Sequence, residues 1–85
     1  MRRIEDGAAE FVVAAGRIFG AEPRVLDGSR AVLIGDLKLS LEAGERELWL
    51  IRMHSLALEE RLAMVEVRGS IEEALAEARE VLRAA

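Results

Sequence analysis

The chain has 85 residues, 52% of them hydrophobic and 33% charged, with no cysteine and a net charge of −4. It is too apolar for a disordered polymer, the right length for a single domain spanning 1–85, and of the wrong sign to coat duplex nucleic acid by neutralising phosphates. Without cysteine it has no disulfide or thiolate chemistry, and no apolar run approaches the roughly 20 residues of a membrane span.

Arg2 and Arg3 are followed at once by Glu5, Asp6 and Glu10, so no secretory h-region forms and a cytoplasmic location is expected. Ile4, Ala8, Phe11, Val12, Ala15, Ile18 and Phe19 recur at helical spacing and predict an amphipathic first helix. Asp6 is placed to cap its start, Gly20 to end it in the left-handed region, and Pro23 to prevent continuation. Gly16 offers a close approach to a strand or a partner helix.

Turn signals then punctuate strand-like segments. Asp27-Gly28 predicts a two-residue hairpin loop between Arg24-Val25-Leu26 and Ser29-Arg30-Ala31. Gly35-Asp36 predicts another, with Ile34 opposite Leu37 and Val32 opposite Leu39, all facing the core. The third turn, around Glu42 to Glu45, leaves two registers open. One sets Leu39 opposite Leu48 and puts Trp49 beside Lys38 on the outer face. The other sets Leu39 opposite Trp49, turns Trp49 inward, and pairs Glu42 with Arg46 and Asp36 with Arg52.

Residues 55–68 are less periodic. Ala63, Val65 and Val67 alternate with Met64, Glu66 and Arg68, which predicts a turn and then a fifth strand. Ser70 and Glu73 make a capping box for a last helix, whose Ile71, Leu75, Ala78, Leu82 and Ala85 form a heptad-like stripe. That stripe either packs on the sheet or, through Leu75, Ala78 and Leu82, joins two copies. The fold expected is α+β: an N-terminal helix, an antiparallel meander of four to five strands, and a C-terminal amphipathic helix packed on the sheet.

Catalytic chemistry finds little support. His54 is the single histidine; zinc sites draw on several His or Cys ligands, and Asp6, Asp27 and Asp36 are isolated, so no metal site is expected. His54 and Ser55 are strand neighbours that point apart, and no Gly-x-Ser-x-Gly elbow or phosphate loop exists. Glu59-Glu60 and Glu72-Glu73 read as solvated surface. Neither an enzyme nor a cofactor is expected.

Binding remains. Arg30, Lys38, Arg46, Arg52 and Arg68 fall in the strand region, with Trp49 between Arg46 and Arg52. Guanidinium groups on phosphates and a ring on a base would suit a single strand of DNA or RNA. The plainer alternative pairs these arginines with Glu42, Glu47 and Glu66 and puts Trp49 in the core. The absence of Asn and Gln removes the usual adenine-reading side chains. Together with the missing Cys, that absence fits either selection against thermolabile residues in a thermophile or G+C-rich codon usage.

The outline of a helix ending at Ile18-Phe19-Gly20, a tight meander through Asp27-Gly28 and Gly35-Asp36, and a Leu/Ala-rich helix from Ser70 resembles the ThermoDBP-related single-stranded nucleic-acid-binding proteins of hyperthermophilic archaea. The likeness covers most of the chain as a layout and transfers no functional residue. It implies bases held in an apolar cleft beside a curved sheet, a mode that tolerates an acidic net charge. The leading expectation is therefore a non-catalytic module for single-stranded nucleic acid. The alternative is a protein-interaction or regulatory module that self-associates, as a homodimer, through the C-terminal helix or a sheet edge.

Overall fold

A computed structural model describes residues 4–84. Helix α1 (Ile4–Phe19) leads into strand β1 (Arg24–Leu26), a 3-10 turn at Asp27–Ser29, and strands β2 (Ala31–Ile34), β3 (Leu37–Ala43), β4 (Leu48–Ser55) and β5 (Glu60–Arg68). Helix α2 (Ile71–Ala84) ends the chain. The strands form one antiparallel sheet in the order β1-β2-β3-β4-β5. This is the α+β architecture that the sequence pattern implies, with 55–68 supplying a turn and the fifth strand.

Both helices lie on one face of that sheet. α1 packs over β2 and β3, α2 over β4 and β5, and the helices touch each other. Between the layers, Phe11, Leu39, Leu41, Ile51, Met53, Ile71 and Leu75 are fully buried. Each removes an apolar side chain from water, worth about 1.5–3 kcal/mol. Alternation does the sorting: Leu37, Leu39, Leu41 and Ala43 share the inner face with Trp49, Ile51 and Met53 and with Ala63, Val65 and Val67.

The turns follow their chemistry unevenly. Gly35-Asp36 closes as a two-residue loop with Ile34 opposite Leu37 and Val32 opposite Leu39; only Gly35 (φ 61°) takes positive φ, as a type II′ turn requires. The Asp27-Gly28 hairpin is longer than expected. Leu26 pairs with Ala31, so residues 27–30 form the loop, and Asp27, Gly28 and Ser29 all carry positive φ. The Arg30 N–H donates to the Asp27 carbonyl, closing that turn.

Both registers expected for β3–β4 are corrected. Leu39 lies opposite Met53, Leu41 opposite Ile51 and Ala43 opposite Trp49. Gly44 N–H donates to the Leu48 carbonyl, leaving Glu45, Arg46 and Glu47 as the loop, with positive φ at Arg46 (52°) and Glu47 (65°). Left-handed backbone at two non-glycine residues costs roughly 1–2 kcal/mol each. The longer strands offset that cost by bringing Leu41 and Ala43 into the core. The Glu42–Arg46 and Asp36–Arg52 pairs do not form; Arg52 Nε instead donates to Glu42 at 2.5 Å, diagonally across the two strands.

The helix ends also refine expectation. α1 already runs at Ile4, so Asp6 sits inside it; the Asp6 side chain lies outside the described residues. Gly20 (φ 68°) ends it in the left-handed region. Gly16 accommodates Pro23 of its own turn rather than a strand or a partner helix. Ser70 Oγ accepts from the Glu73 N–H at 3.0 Å, capping α2.

The C-terminal stripe is interior. Leu75 and Ala78 are completely buried and Leu82 is half-buried against the core. The interface expected at Leu75, Ala78 and Leu82 is thus taken up within the monomer, because this stripe is what covers β4 and β5.

Candidate functional site

With both helices on one side, the other side of the sheet is left open among the described residues. Directly opposite residues share a face, so the register defines rows across the strands. One row crosses all five: Arg24, Leu33, Lys38, His54 and Arg61. The next holds Leu26, Ala31, Ser40, Arg52 and Met64, and beyond it lie Glu42, Leu50 and Glu66, then Leu48 and Arg68. Apart from Ala31, none of these side chains is buried. Five cations (Arg24, Lys38, Arg52, Arg61 and Arg68) thus stand on this face against two carboxylates, Glu42 and Glu66, on a chain whose net charge is negative. The acids are concentrated elsewhere: α2 alone carries Glu72, Glu73, Glu77 and Glu80.

Of the residues singled out from sequence, Lys38, Arg52 and Arg68 lie on this face, the first two in adjacent rows, and Arg30 stands at its margin. Arg30, Ser40, Glu42 and Arg52 line an open groove of about 500 Å3 with Asp27. Arg46 lies in the β3–β4 turn, exposed and outside the rows. Trp49 is on the opposite side of the sheet from Lys38 and Arg52, with 2% of its surface exposed. Its ring packs against Gly7 and Ile71. No base can stack on Trp49 in this arrangement, so the grouping of Trp49 with the arginines is corrected: alternation turns Trp49 inward wherever it turns Arg52 outward.

Sequence reasoning missed Arg24, Arg61 and His54. Arg24 carries the parity of Leu26, and the observed pairing of Val25 with Val32 sets it on this face. By strict alternation Arg61 belongs with Ala63 and Val65 on the inner face, but a bulge between β4 and β5 shifts the register, so Met53 pairs with Ala63 and His54 with Arg61. His54 is half-buried between Lys38 and Arg61 in the row, and its buried Nδ1 has no hydrogen-bond partner among the described residues.

Chemically the face is a shallow, mixed apolar and cationic surface. Leu33, Leu48, Leu50 and Met64 supply apolar ground between the charges. Among the described residues no group of three His, Asp or Glu gathers to hold a metal. His54 and Ser55 are consecutive in β4 and project to opposite faces, so they form no nucleophile–base pair. Among the described residues no helix is long and apolar enough to cross a membrane. Protein-family models, curated proteins and solved structures give no match to this chain.

Proposed function

We propose that the chain is a non-catalytic module that binds single-stranded nucleic acid, DNA or RNA, across its open sheet face. The observation that carries this reading is charge segregation: five cations against two carboxylates on the one uncovered face of a chain that is acidic overall. Local potential, rather than net charge, governs where a polyanion settles.

In this reading the backbone phosphates lie along Arg24, Lys38 and Arg61, with Arg52 and Arg68 flanking, and the bases rest on Leu33, Leu48, Leu50 and Met64. Among the described residues the half-buried His54 imidazole is the one aromatic ring on the face, so stacking contributes less than in aromatic-lined single-strand sites. Without Asn or Gln the face has no adenine-reading amide, and binding is indifferent to sequence.

Titrating labelled oligo-dT and oligo-rU at low and moderate salt tests this. Micromolar binding is expected at low salt, weakening with a log–log slope of about −0.7 for each phosphate contacted. No binding to either oligonucleotide at low salt would overturn it.

A further inference from the structure

The two edges of the sheet are unlike. β1 is three residues long and preceded by Pro23, which blunts it. β5 runs for nine residues, contains no proline, and has β4 on one side and, among the described residues, no strand on the other. Its Leu62 and Met64 are each 41% exposed. A long edge with unpaired backbone groups and exposed apolar side chains is a template for a further strand.

We propose that the occupant of this edge is a second copy of the chain, paired β5 to β5 antiparallel about a two-fold axis at Met64. The argument is one of register and charge. A partner strand must match inner face to inner face, so the axis passes through a residue rather than between two. With the axis at Met64, Met64 meets its own counterpart and Ala63 lies opposite the partner copy's Val65 position.

Beyond the bulge at Leu62, counted as β5 already counts it against β4, Arg61 then lies opposite the Glu66 position of the second copy. Symmetry makes this happen twice. Arg61 and Glu66 both project from the outer face, opposite His54 and Leu50, so the charges meet on one surface. Moving the axis to Val65 would oppose Arg61 to Arg68, two like charges, twice. Moving it to Ala63 leaves Glu66 through Arg68 without partners. The Met64 register pairs Glu60 through Val67 around the bulged Leu62, and the charges it sets opposite each other are of opposite sign.

The dimer would carry one continuous ten-stranded sheet with both helical layers on the same side. Its existence does not depend on the nucleic-acid reading, and its test reads mass rather than binding. Light scattering after gel filtration, at about 0.15 M salt, is expected to give twice the 9.4 kDa chain mass. Arg61→Glu or Glu66→Arg places like charges opposite each other at both ends of the pairing. Each is expected to weaken association roughly tenfold or more, while circular dichroism shows an unchanged fold. Arg61→Glu combined with Glu66→Arg restores opposite charges and the dimer. A folded monomer for the unaltered chain at high concentration overturns the proposal. So does a dimer that survives both single changes, and so does a double variant that stays monomeric.

Discussion

No side chain fits at position 7 while Trp49 holds its place: a Cβ on Gly7 would lie 2.9 Å from Cη2 of the Trp49 ring and 2.3 Å from Cδ1 of Ile71. This close approach seats α1 on the ring and joins both helices to β4. It yields an expectation opposite to helix propensity. Replacing a helical glycine by alanine ordinarily gains about 1 kcal/mol, whereas overpacking a filled core costs about 1–3 kcal/mol. Gly7→Ala should therefore lower stability in urea unfolding, and a stabilised variant would show that Trp49 and Ile71 yield freely.

Trp49 itself should behave as a core residue. Trp49→Ala is expected to cost about 3–5 kcal/mol, much of the stability of a small domain. The indole should emit as a buried chromophore and resist acrylamide quenching. Adding an oligonucleotide should leave its fluorescence unchanged, and Trp49→Phe should bind as the unaltered chain does. Strong quenching by the oligonucleotide would place the ring at the site and contradict its burial.

The cationic row makes its own demand. Lys38→Gln and Arg61→Gln should each weaken oligonucleotide binding and flatten the salt slope by about 0.7. Arg46→Gln, in the β3–β4 turn, should change neither quantity. Equal losses for all three would point to diffuse attraction instead of a defined face.

Leu75 separates packing from self-association. Because it is fully buried, Leu75→Glu should unfold the domain instead of releasing a soluble monomer, since an unpaired charge cannot be kept in an apolar core. Leu75→Ala should cost about 2–5 kcal/mol. A folded, monomeric Leu75→Glu variant would return the stripe to an interface role.

Thermal unfolding addresses the missing Asn, Gln and Cys. If selection against thermolabile residues emptied the chain of them, its melting temperature should exceed the roughly 45–65 °C of mesophile domains. A midpoint inside that range would leave codon usage as the explanation.

Local chemistry was legible in the sequence. Period-two alternation assigned Val32, Leu37, Leu39 and Leu41 to the core. Glycine followed by aspartate at 35 and 36 set a two-residue loop, and Ser70 with Glu73 announced α2. Each signal acts within a few residues, where backbone sterics and one or two hydrogen bonds decide the outcome. The β3–β4 register was different. Its loop uses positive φ at Arg46 and Glu47, residues that give no such signal, because bringing Leu41 and Ala43 opposite Ile51 and Trp49 outweighs the local strain. The bulge that turns Arg61 outward is likewise invisible to alternation. The sequence by itself determined which residues are apolar in which period, and so the elements and most of their faces. Only the tertiary structure decided which strand residues oppose one another, that both helices cover one face, and that five cations gather on the other. Those choices rest on packing between residues far apart in the chain, where burial of the whole core outweighs any local preference.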